Sequence, residues 1–267
     1  MDYISRFGLD FNPFMKNSQD IIIETNEYKE IKHRLEYLLK NKGFGVITGG
    51  AGRGKTTAIR HWANGLSKAL YKVVYLSLST LTAAEFYKQL ATQLGLEAKA
   101  RKSDNHKLIQ EEINRYALEK RVTPVFIFDE ANYISNAVLN DLKMFFNFEM
   151  DSKDRAIVLL TGLPQLNNNL RMAANEPLRQ RIIMNYCMEN LSKEECRNYI
   201  NERLAAAKAS KPVFEEAAIE GIINSSNGVP RNINKICDTA LFIANHKGTD
   251  LIDIDIVMQA SNEIELD

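Results

Sequence analysis

The chain has 267 residues, 45% apolar and 25% charged, with 34 basic side chains balancing 34 acidic ones. That is the composition of a soluble globular protein with a sizeable core. The zero net charge excludes a strongly basic protein, so nucleic acid would be met through a local patch or a ring of subunits rather than a global field. Cys187, Cys196 and Cys237 are odd in number, widely spaced and without a C-x-x-C. They fit a reduced, cytoplasmic compartment with all three as buried packing residues. No signal-peptide run opens the chain and no stretch approaches the ~18 apolar residues of a membrane helix, so no membrane anchor is expected.

Residues 1–25 read as an extended leader, with Phe7, Phe11 and Phe14 set around a turn-forming Asn12-Pro13. The spacing of Ile31, Leu35, Leu38 and Leu39 predicts a helix over 26–39. An apolar strand at 43–47 follows, and then Gly49-Gly50-Ala51-Gly52-Arg53-Gly54-Lys55-Thr56, a complete G-x-x-x-x-G-K-[ST] phosphate loop. A helix is expected from about Gly54 to Leu70. In such a loop the glycines let backbone N–H groups point inward, and with the helix N-terminus these cradle a triphosphate. Lys55 then reaches the β- and γ-phosphates and the Thr56 hydroxyl takes one position on Mg²⁺. The nucleotide-binding segment is therefore Gly49 to Thr57, with ATP and Mg²⁺ as cofactors.

A second strand is expected at 73–78, with Ser79 or Thr80 capping the helix that carries Glu85, Phe86, Leu90 and Leu94. Residues 97–104 read as a polar, basic loop, and a helix runs from there to about Glu119. The unbroken apolar run before Asp129 and Glu130 is the pattern of a parallel strand buried on both faces, ending in two carboxylates where open α/β sheets bind ligands. Asp129 is placed as the Mg²⁺ partner and Glu130 as the residue that orients and polarises the attacking water. A helix at 136–148 and a strand at 156–161 follow. Strands alternating with helices predict an α/β fold with a parallel sheet and crossovers.

Beyond residue 191 the strand-like runs stop. Ser192 with Glu195 forms a capping box before a helix to about Lys208, and helices are expected at 215–225, 231–246 and 253–263. The domains are then a leader at 1–25, a nucleotide-binding α/β domain at 26–190 and a small helical domain at 191–267.

Three further positions suit an ATPase. Thr161, at a strand end, is placed to hold the attacking water. Arg181, and after it Arg179, stands before a strand at the sheet rim and can serve a neighbouring subunit's γ-phosphate in trans. Arg231 follows Gly228-Val229-Pro230 at a helix start, where a cation is unfavourable to the helix dipole and so points to a negatively charged partner. For sequence-independent contacts to DNA the candidates are Lys99, Arg101 and Lys102 in the basic loop, Lys88 on the helix before it, and the hydroxyls of Thr80 and Thr82, with Lys143 weaker. Phe145, Phe146 and Phe148 read as core or subunit interface.

These motifs, in this order, resemble the AAA+ ATPases across nearly the whole chain. By that resemblance Thr161 is sensor 1, Arg181 the arginine finger and Arg231 sensor 2, although many members carry asparagine where this chain has Thr161. The Gly-x-Pro-Arg-x-Ile-Asn stretch at 228–234 and Phe7-Gly8-Leu9…Asn12-Pro13-Phe14 are similar to the ExeA-type ATPases and, beyond them, to the MuB- and TnsC-type proteins. The resemblance implies an ATPase that self-assembles on duplex DNA and works with a DDE transposase. ExeA-type proteins also carry a membrane segment and a peptidoglycan-binding part. Neither is present in these 267 residues, which turns the expectation toward DNA. A secretion ATPase, a replication initiator or helicase loader, and a nucleotide-regulated signalling switch are the rival readings.

Overall fold

The computed structural model describes residues 3–16, 21–77, 82–146 and 154–264. A short helix, α1 (Tyr3–Arg6), precedes α2 (Asn26–Asn41), whose Ile31, Leu35 and Leu38 are buried at helical spacing. Strand β1 (Gly43–Gly49) leads into α3 (Lys55–Gly65), which stops at its glycine, five residues before the expected end. Strand β2 (Tyr71–Ser77), helices α4 (Ala83–Gln93) and α5 (Lys102–Asn114), and strand β3 (Thr123–Asp129) follow. After α6 (Asn136–Phe145) and β4 (Ile157–Gly162) come two short helices that periodicity is too brief to reveal, α7 (Gln165–Arg171) and α8 (Glu176–Arg179), and then β5 (Ile182–Met188). The rest is helical: α9 (Lys193–Ala206), α10 (Glu216–Ser226), α11 (Pro230–Lys247) and α12 (Ile254–Ile264).

The five strands among the described residues are all parallel, in the order β2-β3-β4-β1-β5. Strand β4 therefore lies between β1 and β3, with Thr161 level with Ile47 and Leu160 level with Phe128. This order brings the ends of β1, β4 and β3 together at one edge of the sheet. The strands there are apolar because helices cover both faces. One core cluster joins Phe44, Phe86, Phe126, Phe128 and Phe146, with the rings of Phe126 and Phe146 edge-on at 5.1 Å. Phe146 is thus core, while the Phe145 side chain and Phe148 lie outside the described residues.

The chain divides into two compact units: Met1–Lys29, Gly52–Gly54 and Glu189–Asp267 form one, Glu30–Ala51 and Lys55–Met188 the other. The expected leader thus packs into the helical unit. Phe7, Leu9 and Phe14 are buried in one cluster with Ile200, Ile233 and Leu241. The Asn-Pro turn is satisfied internally: Asn12 Oδ1 accepts from the Phe14 N–H at 2.9 Å and Asn12 Nδ2 donates to Asp238 at 2.5 Å. Three large apolar side chains in so short a stretch are stable only when buried, which is why this segment is not a free extension.

Other local differences have equally local causes. The cap of α4 is Thr82, not Ser79 or Thr80: its hydroxyl accepts from the Glu85 N–H, and Glu85 closes the capping box. The expected box at Ser192 and Glu195 is present at α9. The basic loop is shorter than expected, since α5 begins at Lys102. Its shape is set by Asn105, fully buried, whose amide accepts from the Lys99 N–H at 2.7 Å and donates to the Lys99 carbonyl at 2.9 Å. Cys196 and Cys237 are buried, and burial raises both thiols, Cys196 to about 11. Cys187 departs from the expectation: it is exposed, because it falls on an outward position of the edge strand β5. No helix among the described residues is long and apolar enough to cross a membrane.

Gly228 fixes the entry to α11. Its φ is +69°, its carbonyl accepts from the Leu191 N–H at 2.9 Å, and a Cβ added there would lie 2.2 Å from the Leu191 carbonyl oxygen. Gly228→Ala is expected to destabilise the protein by at least about 2 kcal/mol in urea unfolding, from the left-handed backbone and the clash together. Gly65→Ala, at a helical position with nothing within 4 Å, is the control and should be neutral or stabilising by up to about 1 kcal/mol.

Candidate nucleotide site

The phosphate loop leaves β1 and enters α3 at Lys55. Gly52 and Gly54 have φ of +77° and +100°, conformations that side chains with a Cβ adopt only at a cost, so the glycine pattern is a backbone requirement here. Lys55 Nζ donates to the carbonyls of Gly49 and Gly50 at 2.8 and 2.9 Å. At the second position of α3 the Thr56 hydroxyl donates to Asp129 Oδ2 at 2.9 Å. The loop and the acidic strand, recognised separately in the sequence, are therefore bonded side chain to side chain. Gly50, Ala51, Arg53 and Thr57 complete the loop on either side of these residues. The Gly52 carbonyl accepts from the Arg231 N–H at 3.2 Å, and Pro230 starts α11 as expected, leaving the Arg231 side chain exposed.

Asp129 ends β3 and is only 4% exposed. Burying a carboxylate is costly unless donors surround it, and three among the described residues do: Thr56 Oγ1 and Tyr75 Oη on Oδ2, at 2.9 and 3.0 Å, and the Glu130 N–H on Oδ1 at 2.9 Å. All three are neutral, so none of them brings a countercharge to the carboxylate. Tyr75 responds to it: burial first, then the Asp129 charge, push its phenol up to about 12. Thr56 and Asp129 supply hard oxygen donors, the set that suits Mg²⁺. No group of three or more His, Cys, Asp or Glu able to hold a metal occurs among the described residues.

Glu130 is not the last residue of the strand. It has left-handed dihedrals, φ 56° and ψ 34°, and begins a single 3₁₀ turn, so it is exposed beside a buried Asp129. The two adjacent carboxylates are thereby given different environments. A non-glycine residue held in this region costs about 1 kcal/mol or more, and such strain gathers at functional positions. Thr161 is the penultimate residue of β4, level with Ile47 of β1, and is fully buried, with no hydrogen-bond partner for its hydroxyl among the described residues. Sequence reasoning missed Tyr75, Asn132 and Asn167. Asn132 Oδ1 accepts from the Leu163 N–H and Asn167 Nδ2 donates to the Thr48 hydroxyl, each at 2.9 Å, so they brace β4 and β1. Only their polar character beside the motifs would have signalled them.

The remaining candidates divide by engagement. Arg181 is half-buried; it donates to the Lys143 carbonyl at 3.2 Å, and burial lowers its basicity. Arg179 is exposed, donates to the Arg171 carbonyl at 3.0 Å and lies 4.0 Å from Glu176. Lys102 Nζ is 2.5 Å from Asp141 and sits over the Tyr87 ring, and Lys99 Nζ is 3.1 Å from Glu97. Lys88 and Arg101 are exposed. The Thr82 hydroxyl is occupied in its capping box, and Thr80 lies outside the described residues.

Comparison with known proteins accords with this geometry. Residues 38–170 match the model of the family described as AAA domain. General secretion pathway protein A of Aeromonas hydrophila is 30% identical over 252 residues, which is 92% of this chain and 46% of that protein. The chain spans less than half the length of the curated relatives it matches. Among solved structures, Cdc6p of Pyrobaculum aerophilum aligns over 94% of this chain and 70% of its own, with TM-score 0.75 and 17% identity. Drosophila ORC bound to DNA aligns over 96% of this chain and 65% of that one, with TM-score 0.72 and 18% identity. The likeness to these structures shows the fold: a parallel five-stranded sheet with surrounding helices and a helical C-terminal region.

The orphaned hydroxyl at Thr161 gives a stability test of the site. Thr161→Val keeps the shape and removes a buried group without a partner, so unfolding free energy should stay within about 0.5 kcal/mol or rise. Calorimetry would show a loss of more than about 1.5 kcal/mol if the hydroxyl had a structural partner.

Proposed function

We propose that this chain binds ATP with Mg²⁺ and hydrolyses it. The observation that carries the reading is the 2.9 Å bond between Thr56 of the phosphate loop and the buried Asp129. Mg²⁺, when bound, would neutralise charge on the β- and γ-phosphates. On this reading the backbone N–H groups of Gly49–Thr57 and Lys55 hold the phosphates, and Thr56 and Asp129 hold the cation. Exposed Glu130 takes a proton from water, and Thr161 offers its unpartnered hydroxyl to that water. Arg231 reads the γ-phosphate, and the bonding of its backbone to Gly52 supports this role. For the finger acting in trans, Arg181 and Arg179 are the candidates; both donate to carbonyls of their own chain, and Arg179 is the more exposed of the two.

For the client we propose duplex DNA bound by an oligomer, with a DDE transposase as partner and the cytoplasm as compartment. The fold shared with an origin-recognition structure bound to DNA supports a nucleic-acid client, and exposed Lys88 and Arg101 supply cations. A second reading, a secretion ATPase, is favoured by the 30% identity to General secretion pathway protein A. Replication initiation stays open on the fold alone.

Lys55→Ala should abolish ATP binding in equilibrium titration. Glu130→Gln should bind ATP normally and hydrolyse it about 10²–10⁴-fold more slowly, the contribution of a positioned base. Unchanged turnover in Glu130→Gln would remove Glu130 from this role. The client is tested by fluorescence anisotropy of labelled duplex with ATP, with ADP and without nucleotide over a salt series. Binding that requires ATP, ignores sequence and weakens steeply with salt supports the DNA reading. Intact ATPase activity without DNA binding in any nucleotide state favours the secretion-type reading.

A further inference from the structure

Among the described residues, Tyr75 is the one donor to Asp129 that belongs to neither nucleotide motif. It lies on β2, an edge strand, where Ser77 is level with Asp129 and Tyr75 is level with Ile127. Two residues along a strand is about 6.6 Å, too far for a short side chain. The tyrosine spans the offset and places Oη 3.0 Å from Asp129 Oδ2. The Ser77 side chain also acts on the phenol, against the upward push of burial and Asp129. The ring is not core filling: it is 43% exposed, while Val74 and Leu76 on the other face are buried. Phenylalanine would serve a strand here equally well, so what distinguishes tyrosine is the hydroxyl.

A carboxylate offers about four lone-pair sites. At Asp129, Thr56 and Tyr75 occupy two on Oδ2, and the Glu130 N–H occupies one on Oδ1. One site on Oδ1 is left for a cation or a water of its shell. Without Tyr75, Oδ2 is tied by Thr56 alone and the carboxylate can turn. We propose that Tyr75 is a positioning residue for the divalent cation: it fixes the Asp129 carboxylate so that Oδ1 presents its remaining lone pair to the Mg²⁺ shell. This rests on the ATPase reading above. Outer partners of metal ligands change metal affinity by about 10–100-fold when removed.

The test uses the full chain in a Glu130→Gln background, so that ATP is not consumed. Binding of a fluorescent ATP analogue is followed at increasing Mg²⁺, and Mn²⁺ binding is measured by electron paramagnetic resonance. Tyr75→Phe should raise the half-saturating Mg²⁺ and Mn²⁺ concentrations about 10-fold or more, with Mg²⁺-free nucleotide binding unchanged within about twofold. Ser77→Ala, which leaves the phenol in place, should shift them less and in the same direction, and it carries the test should Tyr75→Phe fold poorly. A Tyr75→Phe curve superimposed on the parent, or shifted to lower Mg²⁺, overturns the proposal. If Thr56→Ala abolishes the Mg²⁺ dependence in that same case, the ATPase reading stands without it. If the parent itself binds no nucleotide at any Mg²⁺ concentration, the ATPase reading fails and the role of Tyr75 fails with it.

Discussion

A carboxylate held in the apolar end of a parallel sheet is the constraint around which the rest of this structure is arranged. Asp129 is buried at the tip of β3 among neutral donors. Those donors come from three places far apart in sequence: the start of α3, the edge strand β2 and the turn after Asp129 itself. They converge only if β2 lies beside β3 and the loop after β1 is brought across β4, which the observed strand order accomplishes. The apolar strands and their covering helices thus surround a buried carboxylate.

The helical unit follows a different logic. Its core draws on both ends of the described chain, with Phe7, Leu9 and Phe14 packed among side chains of α9 to α11. A helical array of this size has little surface to bury, and the early aromatics extend its core. Gly228 lets the chain bond Leu191 and start α11 with Pro230 and Arg231 in place. The arginine is thus set by backbone geometry before any ligand is considered.

Much of the candidate site was legible because its requirements are local. The loop needs glycines at fixed steps, and Lys55 and Thr56 must follow them directly. Strand β3 needs an apolar run ending in acids. Each can be read within about eight residues, and the structure joins them through a single hydrogen bond. Tyr75, Asn132 and Asn167 carried no such signal, since a tyrosine on a strand or an asparagine in a turn is ordinary until its partner is known. Among the basic-loop candidates, Lys99 and Lys102 have acidic partners, Glu97 two residues away and Asp141 on α6. The sequence shows both acids but not that Asp141 reaches the loop.

The amino-acid sequence by itself determined the types of the longer elements, the phosphate loop, the acidic strand, the helix cap at Ser192 and the helix start at Pro230, because periodicity, glycine placement and capping act between residues a few positions apart. Tertiary structure alone decided that β4 separates β1 from β3, that the first residues complete the helical core, that Cys187 faces outward on an edge strand, and that a tyrosine from β2 holds the Asp129 carboxylate. Each of these depends on which surfaces meet after the chain has folded. That is a competition among burial, hydrogen bonding and chain connectivity over the whole molecule, and no short window of sequence records its outcome.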